Sequence, residues 1–390
     1  MYTGELYRSA FVKATARSGA RRYNQSMSKR DIRRQIGQLA IAGFAGESIP
    51  ADLRLLAREF DLGGVILFAR NVVAPEQVAE IARDAQGMAR ELPLWVSVDQ
   101  EGGRVARLKA PFTIWPPMMT LGRSGDVELA ARFARALAAE LKAVGISLDY
   151  TPVLDIHTNP KNPVIGDRAL AERAEDVARL GRTIITTLQG AGIAACGKHF
   201  PGHGDTSTDS HHELPLIEHP PDRIENVELI PFRAAIDAGV ASIMTAHILI
   251  PAYDEERPAT LSPTIVDGLL KQALGYGGLV LSDDLEMRAI AARYGIPEAT
   301  VRAVAAGCDA VLMCGTSQEP QAAALEALIH AVEDGTLPLK RVEDALTRHR
   351  KVKERFLAPV RPAPLTGAAL RAALGKDEHQ AVAAEMARFA

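Results

Sequence analysis

Apolar residues in this chain collect into short runs bounded by turn-forming residues. Eight such runs recur: IGQLAIAGF (36–44), GGVILF (63–68), PLWVSVD (93–99), GISLDYTPVLD (145–155), GIAACGKHF (192–200), ASIMTAHI (241–248), GLVLSDD (278–284) and AVLMCG (310–315). Their length and lack of strict alternation predict strands buried on both faces, as parallel strands covered by helices must be. Between them the spacing turns helical, as in Ala130, Phe133, Leu137, Leu141 and Val144, or in Val177, Leu180, Ile184 and Leu188. Pro75 opens another helix at a first-turn position, where its missing N–H is harmless. Strands alternating with helices in this number predict an α/β protein built as one (β/α)8 TIM barrel rather than a doubly wound sheet. No Gly-rich nucleotide fingerprint follows the first run.

The expected catalytic barrel spans 29–356. Its last helix is the charge-rich KRVEDALTRHRKVKERF, and a Pro-containing linker with a short helical tail fills 357–390, read as packing or solvated elements. Residues 1–28 are Arg- and Ser-rich and nearly free of acid, which resembles a transit peptide superficially; a disordered extension or an upstream start site is the preferred reading.

Composition narrows the partners. The 48 acidic and 45 basic residues nearly cancel to a net charge of −3, with no long single-sign block, which argues against a nucleic-acid or membrane surface and for a small molecule. No run reaches the ~20 apolar residues of a membrane span, and no signal-peptide core precedes the barrel, so a cytoplasmic protein is expected, as a monomer or weak homo-oligomer. The three cysteines, Cys196, Cys308 and Cys314, lack C-x-x-C spacing and read as reduced core residues.

Reactive side chains fall where the strands end. Asp99, Lys198, His199, His247 and Asp283 all stand at the C-terminal ends of their runs, the face on which barrel active sites are built. The stretch KHFPGHGDTSTDSHHELP (198–215) packs four histidines and two aspartates around glycine and proline. Within it Asp209 and His211 are two apart, so an extended backbone directs both to one side. A carboxylate beside an imidazole orients it and favours its protonated form, as a general acid/base near neutral pH requires. The H-x3-H and D-x-H spacings would also suit zinc or iron, though the glycines and Pro201 look more like a loop shaped to wrap a ligand, and His199, His203 and His212 also read as loop-packing residues. Gly202, Gly204 and the small polar residues suggest a loop with many hinges and little apolar anchoring.

Asp283 is the first carboxylate beyond its strand, a rigid placement suited to a glycosidase nucleophile; Asp284 should face the other way, and the S-D-D run also reads as a helix cap. Asp99 and Arg107 in WVSVDQEGGRVARL suit gripping sugar hydroxyls, and Arg168 in NPVIGDRAL sits on the loop after the fourth run.

At these segments the chain resembles glycoside hydrolase family 3, in its β-N-acetylhexosaminidase branch of bacterial NagZ type, over roughly residues 36–355. The K-H-F-P-G-H-G stretch followed by D-S-H is the most specific part of the likeness. The resemblance implies His211 as acid/base with Asp209 as its dyad partner, Asp283 as nucleophile, and Asp99, Arg107, Arg168, Lys198 and His199 as substrate-binding residues. It further implies a retaining exo-β-N-acetylglucosaminidase, needing no cofactor or metal, that takes terminal N-acetylglucosamine from GlcNAc-1,6-anhydroMurNAc fragments in cell-wall recycling. Leu170 stands where the family often has an aromatic residue, and the second domain that supplies a carboxylate acid/base in many members is missing from this pattern. A phosphorylase or a metal-dependent hydrolase on the same barrel are the alternatives.

Overall fold

The computed structural model describes residues 32–210, 213–357 and 363–390. The anticipated extension 1–28 and the histidine His211 lie outside the described residues. Eight parallel strands close into a barrel: β1 (Ala40–Ala42), β2 (Gly64–Leu67), β3 (Trp95–Val98), β4 (Leu148–Asp149), β5 (Ala194–Phe200), β6 (Ser242–Thr245), β7 (Leu279–Asp284) and β8 (Ala310–Met313). Neighbours follow chain order, and β8 returns to β1 with Ala40 opposite Val311. Each strand lies inside one of the eight predicted runs, so the (β/α)8 barrel stands.

Two of the runs are only partly strand. Ile36–Leu39 is a 3-10 turn leading into β1. In 145–155 the regular strand ends at Asp149; Pro152 has no N–H to donate, yet Thr151 O and Pro152 O still accept from β5, Leu154 N donates to Lys198 O at 2.6 Å, and Val153 bridges to Lys198.

The two faces of the strands are apolar for different reasons. Alternate residues such as Ile41, Ile66, Trp95, Tyr150, Cys196 and Leu312 fill the barrel interior. Their neighbours, among them Val65, Val96, Ile243, Val280 and Val311, meet the surrounding helices. The expected helices appear as Pro75–Met88, Val127–Ala143 and Ala174–Gly190. Asp126 caps the second of these by accepting from Glu128 and Leu129 N–H.

The charge-rich helix, Leu339–Phe356, is more than a solvated element. Its buried face carries Val342, Ala345, His349, Val352, Lys353 and Phe356, and Val352, Phe356 and Leu357 join the interior cluster beside Trp95, closing the N-terminal end of the barrel. Lys353 is buried here, its ammonium donating to Gln38 Oε1 (2.7 Å) and Gly63 O (2.8 Å), and burial pushes its pKa down to about 7. The tail helices, Gly367–Ala373 and Asp377–Ala387, pack on the outside, where His379 and Gly375 reach the buried Glu140 of Val127–Ala143. All three cysteines are free and buried.

Candidate active site

At the opposite end, the strand termini and their loops enclose a cavity of about 320 Å³. Asp99, Arg107, Arg168, Lys198, His199, Asp209 and Asp283 all line it, so among the described residues every predicted site residue is gathered there.

The polar wall begins at β3. Gly102 (φ +110°) and Gly103 (φ +54°) turn the chain into a short hairpin, and a Cβ at Gly102 would meet Pro116 O at 2.8 Å. The buried Gln100 side chain accepts from the N–H groups of Arg107 and Leu108 and donates to Leu108 O, which holds the backbone of Arg107. Lys198, 2% exposed, donates to Asp99 Oδ1 at 2.7 Å and pairs with Glu101 Oε1 at 2.6 Å. Glu101 also receives a two-pronged contact from Arg168, at 2.9 and 2.8 Å. Arg107 completes the row, 3.6 Å from Asp99 and over the ring of Phe68.

Burial alone would push the Glu101 carboxyl up, but Arg168 and Lys198 overrule it and hold it well below the usual range. Both cations are in turn held above their ordinary values against the pull of burial, by Glu101 and Asp99. Glu101, Arg168 and Lys198 therefore hold one another in their charged forms, with donors and carboxylates already aimed. In the motif V-D-Q-E-G-G nothing in sequence spacing shows that Glu101 will face two cations, one from a distant strand and one from a distant loop.

A second anchor is Asp155, completely buried beyond β4. Its Oδ1 accepts from His203 N (2.6 Å) and its Oδ2 from His199 Nδ1 (2.7 Å), which leaves His199 Nε2 for the cavity. Asn162 donates to the carbonyls of His203 (2.8 Å) and Gly204 (3.0 Å). His203 is a packing residue, its pKa lowered by burial to about 4, lodged between Thr206 (2.8 Å) and Ser210 (3.2 Å). Residues 199–206 are held by these polar contacts. Gly204 is there for close approach, since a Cβ would lie 1.7 Å from Ile156 O. Asp209 lies further along, on the cavity wall; the proposed partner His211 is beyond what is described.

Asp283 is the next-to-last residue of β7, with its Oδ1 accepting from Asp284 N at 2.8 Å. Burial tends to raise its pKa, yet His247, His199 and Lys198 nearby bring it below the ordinary aspartate value. His247 donates from Nε2 to Asp284 O (2.9 Å) and has Thr260 Oγ1 2.8 Å from Nδ1. Asp284 accepts from Glu286 N and Cys314 N, a turn-capping role, and burial lifts it to about 7. An ionised carboxylate beside a neighbour that is easily neutral suits nucleophilic attack by the first. Among the described residues no group of three metal-ligating side chains is assembled.

The profile of the Glycosyl hydrolase family 3 N terminal domain matches residues 31–352. The chain is 43% identical over 260 residues to Beta-hexosaminidase of Nitrosomonas eutropha, covering 65% of this chain and 74% of that protein. Its structure resembles a glycoside hydrolase family 3 beta-N-acetylglucosaminidase from Paenibacillus sp. str. FPU-7, with a TM-score of 0.88 and 43% identity over 92% of this chain and 68% of that one. NagZ from Neisseria gonorrhoeae, in complex with N-trifluoroacetyl-D-glucosamine, matches with a TM-score of 0.73 and 32% identity over 92% of this chain and 98% of that one.

Proposed function

The chain belongs to glycosyl hydrolase family 3 and is a glycoside hydrolase of the β-hexosaminidase kind, and from that premise we propose that Asp283 is the nucleophile of a retaining exo-β-N-acetylglucosaminidase. The observation that carries this reading is the cavity itself: a depressed carboxylate at the end of β7 faces a preset row of sugar-gripping charges, with Asp209 on the same wall. Asp99, Arg107, Arg168, Lys198 and His199 hold the terminal N-acetylglucosamine. Asp283 attacks the anomeric carbon while His211, oriented by Asp209, protonates the departing oxygen. In the second step the same histidine takes a proton from water, which opens the glycosyl ester; two inversions retain the configuration.

The substrate we propose is the terminal N-acetylglucosamine of GlcNAc-1,6-anhydroMurNAc fragments, with or without peptide, handled in the cytoplasm during cell-wall recycling. NMR of the first sugar released from an aryl β-N-acetylglucosaminide should show the β-anomer; the α-anomer would sink the nucleophile assignment. His211→Ala should lose on the order of 10²- to 10⁴-fold on a disaccharide, and azide should restore aryl-substrate turnover as a β-glycosyl azide. Phosphate should leave the products unchanged, and a sugar phosphate would point to a phosphorylase instead.

A further inference from the structure

The loop that carries Asp209 has two arms, and different parts of the molecule hold them. The entry arm, 199–206, is fastened to the barrel through Asp155 and Asn162. The return arm, 213–219, leans on the segment after β6, where Ile217 N donates to Leu249 O (2.9 Å) and Leu249 N to Pro215 O (2.8 Å). Asp209 depends on both. Its neighbour Ser210 meets His203 Nε2 at 3.2 Å on the entry side, while Glu213 N of the return arm donates to Asp209 O at 3.0 Å. A side-chain contact joins the two arms at their base: His219 Nε2 donates to Asp205 Oδ2. Arg223 lies 3.7 Å from the same carboxylate and donates to Glu228 at 3.2 Å. Glu228 packs on the entry arm so closely that a Cβ on Gly202 would stand 3.0 Å from Glu228 Cβ. Neither Asp205 nor His219 is among the residues that line the catalytic cavity.

We infer that His219, acting through Asp205, is a positioning residue for proton transfer: the pair sets the spacing of the two arms and with it the register at which Asp209 meets the cavity. This rests on the hydrolase reading above, in which Asp209 orients the acid/base. Asp99, Glu101, Lys198 and Arg168 hold one another by contacts of their own, so loss of the pair shifts Asp209 and leaves the sugar-binding wall in place. A displacement of about 1 Å in a reacting group can cost on the order of 10²-fold in rate. A misplaced proton donor matters in proportion to the protonation that the leaving group needs. Arg223 stays beside Asp205 when the imidazole is removed, so the carboxylate keeps a counter-charge and the fold is expected to hold.

The test compares the full-length wild type with His219→Ala, His219→Gln and Asp205→Asn on two substrates: a dinitrophenyl β-N-acetylglucosaminide, whose leaving group departs as its anion, and a β-N-acetylglucosaminyl disaccharide, whose leaving alkoxide needs a proton. His219→Ala should lose about 10- to 100-fold in kcat/KM on the disaccharide, a part of what complete removal of an acid/base costs, and less than about threefold on the dinitrophenyl glycoside. The disaccharide loss should fall in kcat, with KM within about twofold of wild type, because the sugar-binding wall is untouched. His219→Gln keeps an N–H donor and should recover most of the loss, and Asp205→Asn should show the same selectivity in smaller measure. Should His219→Ala not fold, the same criterion is read from Asp205→Asn. An equal loss on both substrates, a loss in KM alone, no loss on the disaccharide, or a Gln variant no better than the Ala variant overturns the inference. A His211→Ala enzyme without this leaving-group selectivity overturns the acid/base assignment, and a wild type that leaves the dinitrophenyl glycoside intact overturns the hydrolase reading; the role of His219 falls with either.

Discussion

Glu101 carries one buried negative charge between Lys198 Nζ at 2.6 Å and the guanidinium of Arg168 at 2.8 Å. Glu101→Gln keeps the shape and removes the charge, which takes the carboxylate from the half-hidden Arg168 and leaves Lys198 with Asp99 alone. The loss should be about 3–5 kcal/mol, the range for breaking a buried pair from one side, read from urea denaturation; a loss under about 1 kcal/mol would mean water already screens the pair. A neighbouring carboxyl works in the opposite sense. Asp149 Oδ1 accepts from Gln100 N (2.9 Å), its Oδ2 has no hydrogen-bond partner among the described residues, and burial raises its pKa to about 8. Unfolded, it ionises near ~3.9. The folded chain therefore binds more protons in between, and this contribution to stability is complete below about pH 4 and drains away as pH rises to about 8. Asp149→Asn should melt close to wild type at pH 5 and distinctly above it at pH 8.5; a constant difference would refute the raised pKa. Asp99, Lys198 and Asp283 were legible because strand ends announce themselves. Glu101 and Asp155 were not, because their importance lies in partners 67 and 44 residues away along the chain.

Between residues and molecule, one loop and the tail are joined through Glu140. This buried carboxylate accepts from Thr113 N (2.9 Å), Thr113 Oγ1 (2.6 Å), Gly375 N (2.9 Å) and His379 Nδ1 (2.8 Å). The 108–118 loop is pinned again where Gly103 N donates to Trp115 O at 2.9 Å. Glu140→Ala should leave the Thr113 and Gly375 N–H groups unsatisfied, at about 1–3 kcal/mol each, and loosen the tail. Limited trypsinolysis should then cut at Arg371 and Lys376 well before the barrel; unchanged cleavage would show that the tail is held by its apolar contacts alone. The helix that bears Glu140 was readable from its apolar spacing, but a glutamate on its buried face looks from sequence like any surface acid. The strand run 145–155 was overread for a related reason. Apolar composition continues past Asp149, while Pro152, with no N–H, interrupts the regular ladder and leaves isolated backbone bonds such as Leu154 N to Lys198 O.

At the scale of the whole molecule, the barrel has a working end and a closed end. The closed end is plugged by Phe356, 8% exposed and 6.5 Å from the ring of Trp95. Phe356→Ala should destabilise the fold by about 3–5 kcal/mol, as large aromatic truncations in cores do. The mouth should stay intact, so kcat/KM on the aryl substrate at low temperature should change little. A variant that keeps its melting temperature would show that the plug packs too loosely to matter. Strand count and alternation were legible because eight parallel strands leave eight apolar runs. That the charge-rich helix seals the barrel was not, since Lys353 and His349 read as surface residues until their burial is seen.

The plug also has a history in time. Trp95 is made early and its interior neighbours Phe356 and Leu357 some 260 residues later. At roughly 5–20 residues per second, the ring waits about 15–50 seconds for its lid. For that interval the Trp95 ring lacks the neighbours that bury it, a natural handle for any chaperone that greets emerging chains.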